Sequence, residues 1–202
     1  MEIWFCKWKD IKEALPKMIK LLCIMGKAGA GKDTIARNLV NSFPILFSSV
    51  VSFTSRPMRE KEIEGKDYYF ISKEEFEDKI HNNEILEWTH FNNWYYGTTL
   101  ESFDNDKINV CVCNPEGVKS FKEMSDIFEV TAVYIDVPAK TRLLRQLSRE
   151  ETPDVNEIVR RYGADEENFQ NLEFDFQVNN EGRPVCAATN TIVHHLITLD
   201  KI

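Results

Sequence analysis

The chain has 202 residues, of which 43% are hydrophobic and 29% are charged, so it can build one domain around a substantial core. Its 25 basic and 33 acidic residues give a net charge of −8, which argues against nucleic acid as a partner, because backbone binding needs a basic face. No apolar run approaches the ~20 residues of a membrane span, and five cysteines without a C-x-x-C pair indicate reduced thiols in a cytoplasmic protein.

Residues 1–18 predict an amphipathic helix that extends the domain at its N-terminus. The apolar residues recur every three or four positions, which places them on one helix face. They are Trp4, Trp8, Ile11, Leu15 and Met18. Two interpretations stay open: this face docks on the domain, or it contacts a partner or a membrane surface.

A glycine-rich turn at residues 26–34 follows the first predicted strand, which covers about residues 19–25. It fits the spacing G-x-x-x-x-G-K of a phosphate-binding loop and leads into a predicted helix that Pro44 ends. Glycines let backbone N–H groups approach phosphate oxygens, and the helix N-terminus adds partial positive charge. The predicted triphosphate-binding residues are Gly26, Gly29, Gly31, Lys32, Asp33 and Thr34.

Strands and helices alternate along the rest of the chain. Five strands are predicted for the main sheet, at about 19–25, 45–53, 107–113, 130–137 and 174–178. Helices are predicted to start at Ser72, Asn114, Pro138 and Pro184, where capping residues or prolines stand. This order predicts an α/β fold with a five-stranded parallel sheet and helices on both faces, and short strands within 54–98 predict a small antiparallel subdomain.

Several ordered motifs resemble guanylate kinases. They are Val-Ser-Phe-Thr-Ser-Arg-Pro-Met-Arg at 51–59, Gly-Lys-Asp-Tyr-Tyr-Phe-Ile-Ser-Lys-Glu-Glu-Phe at 65–76, Glu-Ile-Leu-Glu-Trp at 84–88 and Tyr-Tyr-Gly-Thr at 95–98. The resemblance covers about residues 19–180. It implies a P-loop NTPase fold for residues 19–202, with a GMP-binding subdomain at 54–98 and a helical lid at about 142–165.

The resemblance implies a phosphate site for GMP. Arg56 and Arg59 match the family's arginines that hold the GMP phosphate, and guanidinium groups suit phosphate oxygens because they bind two at once. Tyr68 and Tyr96 match tyrosines that donate hydrogen bonds to the same phosphate.

The resemblance also implies a guanine site. Ser52, Glu87 and Thr98 match the residues that read the guanine ring. A carboxylate such as Glu87 accepts from both N1–H and the exocyclic amine, a pairing that adenine does not offer. Asn114 stands where the family has an acidic residue, and its amide is expected to bond a guanine edge.

Two departures from the family concern Mg²⁺. The family usually has an Asp-x-Asp pair at the positions of Val112 and Asn114, and Val112 cannot support the metal ion. Asp33 in turn stands where a phosphate-binding loop normally has the Ser or Thr that binds Mg²⁺. We hypothesise that Asp33 replaces the missing acidic group, with Thr34 beside it. The alternative is that Asp33 only N-caps the helix.

An arginine cluster resembles the lid of nucleoside monophosphate kinases. The resemblance implies that Arg145, Arg149 and Arg161 close over the triphosphate and stabilise charge on the transferring group. Arg145 and Arg149 are four residues apart, which predicts one helix face. The alternative is ordinary surface charge paired with acidic neighbours, which are Glu150, Glu151 and Glu157.

The resemblance implies a kinase that transfers the γ-phosphoryl group of ATP to GMP or dGMP with Mg²⁺, giving ADP and GDP or dGDP. The expected catalytic residues are Lys32, Arg145, Arg149 and Arg161. Two alternatives stay open: a catalytically weak or inactive guanylate-kinase-like module that binds phosphoproteins, and a related kinase with another nucleoside monophosphate acceptor. The expected partners are small nucleotides, and no motif identifies a protein partner.

Overall fold

The structure is a computed structural model that describes residues 17–60, 62–91, 93–149, 152–170 and 172–202. The helix predicted for residues 1–18 therefore lies outside the described residues, except for Lys17 and Met18.

Nine strands and six α-helices make up the described residues. The strands are β1 (Ile19–Met25), β2 (Phe47–Ser49), β3 (Phe53–Thr54), β4 (Tyr69–Phe70), β5 (Ile85–Phe91), β6 (Trp94–Thr99), β7 (Ile108–Val112), β8 (Phe128–Asp136) and β9 (Phe176–Asn179). The helices are α1 (Lys32–Ser42), α2 (Lys73–His81), α3 (Pro115–Glu123), α4 (Ala139–Leu147), α5 (Val155–Asn168) and α6 (Val185–Thr198). A 3₁₀ turn covers Leu100–Ser102.

Five strands form the main sheet in the order β2-β7-β1-β8-β9, and all of its neighbours pair in parallel. The predicted five-stranded parallel sheet is confirmed. Helices α1 and α6 bury Ile35 and Ile192 on one face, and α3 buries Phe121 on the other, so both faces are covered. The turn after β1 consequently lies at the carboxyl edge in the middle of the sheet, where α/β folds place their ligands.

A second sheet has the order β4-β3-β6-β5. Its β3–β6 and β5–β6 pairs are antiparallel, as predicted, whereas β3 and β4 pair in parallel, which the sequence did not indicate. The parallel pair forms because the chain between β3 and β4 returns to the same end of the sheet before β4 begins.

The prediction of a single strand at residues 45–53 is wrong. Ile45 is 86% exposed, only Phe47–Ser49 pairs with β7, and Phe53 already belongs to the second sheet. The two sheets share this apolar run, and nothing in its composition marks the point where the chain leaves one sheet for the other. The segment thus connects the two sheets, from β2 at the edge of the main sheet to β3 inside the second one.

The helix starts agree with the sequence. Ser72 and Glu75 make the reciprocal bonds of a capping box, and Asn114 caps α3 with Pro115 in its first turn. Helix α4 ends at Leu147, so Arg149 lies beyond it and the expectation that Arg145 and Arg149 share one helix face is wrong. The buried residue of α4 is Arg142, whereas Leu144 is 54% exposed.

None of the helices within the described residues has both the length and the apolar character that crossing a membrane requires.

Candidate active site

The turn after β1 has the backbone of a phosphate-binding loop. Gly29 and Gly31 adopt φ values of 82° and 90°, a region that side chains with a Cβ rarely enter. A Cβ on Gly29 would lie 2.6 Å from the carbonyl oxygen of Arg142, and one on Gly31 would lie 2.8 Å from the amide nitrogen of Asn180. Both glycines are therefore required by conformation and by close packing.

The first turn of α1 carries the charged residues predicted for the triphosphate. The N-cap is Gly31, so the alternative that Asp33 N-caps the helix is wrong, and Asp33 instead lies exposed in the first turn. Burial lowers the pKa of the half-buried Lys32, and the Asp33 carboxylate partly offsets that effect. Gly26 is buried at the end of β1, and Thr34 is exposed beside Asp33.

Three side chains from other elements hold the carbonyl groups of this loop. Arg145 donates to the carbonyls of Gly29 and Ala30, both at 3.4 Å, and to the carbonyl of Asn180 at 2.7 Å. The Asn180 amide donates to Ala30 at 2.9 Å, and the buried Arg142 donates to Ala28 at 3.3 Å. Arg145 thus braces the loop from α4 in the described arrangement.

Helix α5 contacts the same loop through two carboxylates. The Ala28 N–H donates to Asp165 at 2.7 Å, and Lys27 forms an ion pair with Glu166 at 2.6 Å. Asp165 also lies 3.5 Å from Arg142. These bonds fix the end of α5 against the loop.

The other two arginines predicted for the lid differ in their surroundings. Arg149 is exposed just after α4. Arg161 lies in α5 and donates to Glu157 at 2.8 Å, which is the pairing that the surface-charge alternative expected. Its positive charge nevertheless acts on Lys32, so Arg161 lies in the electrostatic neighbourhood of the loop.

Three of the four residues predicted for the acceptor phosphate form one cluster. The Arg56 guanidinium lies over the Tyr68 ring at 5.5 Å, and Tyr68 meets Tyr96 edge to face at 6.0 Å. Arg56 is buried and its guanidinium also pairs with Glu62 at 2.7 Å, whereas Arg59 is exposed on the same loop.

The residues predicted for guanine lie on adjacent strands. Glu87 and Thr98 are cross-strand partners, and the Thr98 hydroxyl donates to Glu87 at 3.0 Å. Burial raises the pKa of Glu87 to about 7, although the Thr98 bond works against that rise. Ser52 precedes β3 and is half-buried.

Two residues that differ from the family's usual Asp-x-Asp pair lie at the end of β7. Asn114 uses its side-chain oxygen to cap α3, accepting from the Gly117 N–H at 2.8 Å, which leaves its amide N–H groups for a ligand. Val112 is half-buried and packs against the hydrophobic core.

The helix that follows the phosphate loop contacts the segment that leads into β4. Arg37 of α1 lies 3.7 Å from Asp67, the neighbour of Tyr68 in the chain. Burial raises the pKa of Tyr68, and the charge of Asp33 adds to that rise. Helix α1 and the segment before β4 are therefore neighbours.

Metal ligands are sparse within the described residues, where no group of three or more His, Cys, Asp or Glu side chains is placed to hold a metal ion. One exposed carboxylate, Asp33, stands beside Lys32. Mg²⁺ commonly binds one or two protein carboxylates together with substrate phosphates and water, so this donor fits the ion.

Sequence reasoning missed Glu62, Asn180, Asp165 and the bracing role of Arg142. Their partners lie 6, 150, 137 and 114 residues away along the chain, and none stands in a motif. A buried partner for Arg56 was foreseeable only in general terms, because an arginine withdrawn from water needs an acceptor.

The chain is similar in sequence to guanylate kinases from two bacteria. A guanylate kinase from Helicobacter hepaticus is 35% identical over 166 residues, which are 80% of this chain and 82% of that protein. A guanylate kinase from Mycoplasmopsis pulmonis is 34% identical, covering 79% of this chain and 86% of that protein.

The crystal structure of guanylate kinase from Anaplasma phagocytophilum shares the P-loop NTPase fold, with a TM-score of 0.64 over 90% of this chain and 87% of that one. At 23% identity this likeness concerns the fold alone. The guanylate kinase family model matches residues 18–194. The chain belongs to the guanylate kinase family.

Proposed function

We propose that the chain transfers the γ-phosphoryl group of ATP to GMP, and to dGMP as the alternative acceptor. The observation that carries this proposal is the proximity of the two predicted sites. Helix α1, which begins at Lys32, comes within 3.7 Å of the segment before β4 through Arg37 and Asp67, and Tyr68 next to Asp67 contacts Arg56 and Tyr96. The inactive-module and other-acceptor alternatives gain no support from the two relatives described above, which are both named guanylate kinase.

The donor half binds and orients the triphosphate. The loop amides and the α1 terminus offer N–H groups to the β- and γ-phosphates, and Lys32 adds a charge there. Because Lys32 is half-buried, water screens its charge less, and the charge acts more strongly on a bound phosphate. The proposed lid at about 142–165 carries Arg145, Arg149 and Arg161, whose positive charges would stabilise the transferring phosphoryl group.

The acceptor half, residues 54–98, orients GMP. Arg56, Arg59, Tyr68 and Tyr96 hold the phosphate, and Glu87 with Thr98 reads the base. Ser52 and Asn114 are proposed at the edge of the base. An oxygen of the GMP phosphate then attacks the γ-phosphorus in line, the bond to the bridging β–γ oxygen breaks, and ADP leaves. Positioning and charge stabilisation suffice for this step, without a covalent intermediate.

We further propose that Asp33 holds Mg²⁺ next to the phosphates. The ion would supply positive charge that neutralises charge developing on the phosphate oxygens. The chain has no carboxylate at Val112, and Asp33 is the acidic group beside Lys32. A cytoplasmic location is proposed from the substrates and from the free thiols of Cys23, Cys111, Cys113 and Cys186.

The proposal is tested by coupling ADP formation to NADH oxidation with ATP, Mg²⁺ and a panel of nucleoside monophosphates. We expect turnover with GMP, less or none with AMP, CMP and UMP, and loss of turnover in Lys32→Ala. ADP formation that stays at background with every acceptor would contradict the proposal.

The metal role of Asp33 is tested by titrating Mg²⁺ in Asp33→Ala and in the double variant Asp33→Ser with Val112→Asp. We expect Asp33→Ala to need a much higher Mg²⁺ concentration for half-maximal rate. The double variant restores the residue types that the family usually has at positions 33 and 112, so we expect it to recover most of the affinity for Mg²⁺. An unchanged Mg²⁺ requirement in Asp33→Ala would exclude the role.

A further inference from the structure

The loop between β3 and β4 contains one ion pair that is withdrawn from solvent. The Arg56 guanidinium donates to both oxygens of the Glu62 carboxylate, through Nη1 at 3.0 Å and Nη2 at 2.7 Å. The two side chains are 9% and 17% exposed. Two parallel charge-assisted bonds of this kind define the orientation of a guanidinium as well as stabilising it.

The remaining contacts of Arg56 fix the plane of its guanidinium. Nη1 donates its second hydrogen to the carbonyl of Pro57 at 2.7 Å. The group lies over the rings of Tyr68 and Phe70 at 5.5 and 5.6 Å. Cation–π contacts on a buried group strengthen this placement.

These bonds occupy three of the five N–H groups of Arg56. The other two, Nε–H and one hydrogen on Nη2, form the second fork of the guanidinium, on the edge adjacent to Glu62. The Tyr96 side chain, itself predicted to bind phosphate, is a further hydrogen-bond partner of Arg56. One edge of Arg56 is thus committed to a carboxylate, while the adjacent fork has the geometry that suits two phosphate oxygens.

Glu62 is itself tied to the second predicted phosphate-binding arginine. Its Oε2 accepts from the backbone N–H of Arg59 at 2.8 Å, and its own N–H donates to the Arg59 carbonyl at 3.0 Å. Burial opposes the charged form of Glu62, but the bonds from Arg56 and Arg59 outweigh it and hold the pKa of Glu62 below its ordinary value. The carboxylate is ionised at neutral pH.

We infer that Glu62 is a positioning residue for the acceptor phosphate. It fixes one edge of Arg56 so that the adjacent edge is presented to GMP, and it closes the turn that carries Arg59. The gain comes from ordering these groups before the ligand arrives, which reduces the entropic cost of binding. This inference rests on the proposed function, because it takes the acceptor to be a nucleoside monophosphate.

The opposite role for the same contact is a stand-in anion, in which Glu62 occupies the place of the phosphate and must leave before GMP binds. The bonds between Glu62 and Arg59 favour a permanent partner. One joins the two backbones within the turn, and the other holds the Glu62 carboxylate on the Arg59 N–H while it also accepts from Arg56. The two roles predict opposite changes in GMP affinity when the charge of Glu62 is removed.

The test is the variant Glu62→Gln, with Glu60→Gln as the matched control. Glu60 is an exposed acid of the same loop, so its variant makes the same change in net charge. For Glu62→Gln we expect the KM for GMP to rise by about 10- to 100-fold, the range that a charge-assisted hydrogen bond contributes. The KM for ATP and kcat should stay within about threefold of wild type, as should every constant of Glu60→Gln.

Competition by guanosine, which lacks the phosphate, separates positioning from general loosening of the subdomain. We expect the inhibition constant of guanosine to stay within about twofold in Glu62→Gln while GMP binding weakens. An equal loss for guanosine and GMP would overturn the inference, as would a KM for GMP that is unchanged or lower. Glu62→Asp, which keeps the charge, is expected to recover part of the GMP affinity.

The variant Arg56→Ala distinguishes failure of this inference from failure of the proposed function. If Arg56→Ala leaves GMP binding unchanged, the assignment of the acceptor site is wrong. If Arg56→Ala weakens GMP binding and Glu62→Gln does not, the acceptor site stands and the positioning role of Glu62 is refuted.

Discussion

The raised pKa of Glu87 predicts that acceptor recognition depends on pH near neutrality. The carboxylate is half-buried, burial raises its pKa to about 7, and a neutral acid cannot accept from both guanine donors. With that pKa the ionised fraction falls from about 90% at pH 8 to about 10% at pH 6. The value of kcat/KM for GMP is therefore expected to fall about tenfold over this range.

The assay is the steady-state rate at low GMP and saturating ATP, from pH 5.5 to 8.5, for wild type and Glu87→Gln. GMP titrates near pH 6 in its own phosphate, which affects both proteins equally. The ratio of the two profiles isolates Glu87 and should show one ionisation near pH 7. Replacing Thr98 by valine removes the bond that lowers this pKa, so its profile should shift to higher pH.

A flat ratio between pH 6 and pH 8, or the same decline in Glu87→Gln, would refute the reasoning. An independent check uses protein stability. Because the folded pKa of Glu87 exceeds its ordinary value of 4.5, its contribution to stability is complete below about pH 4.5 and is lost as the pH rises through about 7. The wild type should consequently lose unfolding free energy relative to Glu87→Gln between pH 5 and pH 8, measured without nucleotide.

Three further substitutions test the frame around the site. Gly29→Ala should cost at least about 1–3 kcal/mol from its φ of 82°, with the contact to the Arg142 carbonyl adding to that, and it should abolish ATP binding in calorimetry. Gly163→Ala in α5 is its control, since no atom lies within 4 Å of the added Cβ, and it should raise stability by about 0.5–1 kcal/mol. Asn180→Ala removes the 2.9 Å bond to Ala30, so the KM for ATP should rise while that for GMP stays constant; a change in GMP alone would contradict the bracing role. Ser72→Ala removes the capping box of α2 and should lower the unfolding free energy by about 1 kcal/mol, and an unchanged denaturant midpoint would count against the cap.

Local patterns were sufficient for much of this protein. The spacing of Gly26, Gly31 and Lys32 between a strand and a helix predicts the phosphate loop, because glycine conformation and the helix terminus are local properties. Capping residues located the starts of α2 and α3 for the same reason. The five parallel strands followed from alternation of strands and helices.

Other features depended on where distant segments meet. Residues 45–53 have the composition of one buried strand, but the chain divides them between two sheets, a choice made by packing. The lid arginines illustrate the same limit, because Arg145 braces the phosphate loop in this structure while Arg161 pairs with Glu157. A charged side chain reaches several partners, and its position along the chain does not rank them.

The sequence by itself determined the glycine spacing of the phosphate loop and the candidate residues for GMP, because short motifs carry both. The tertiary structure decided how these segments are held and which of them are neighbours. Bonds to the loop from Asn180 and Asp165 span 150 and 137 residues, and Arg37 of α1 comes within 3.7 Å of Asp67 only because the fold packs their two segments together. Hydrogen bonds and charges act over a few ångströms, so partners separated by half the chain become predictable only when the fold has brought them together.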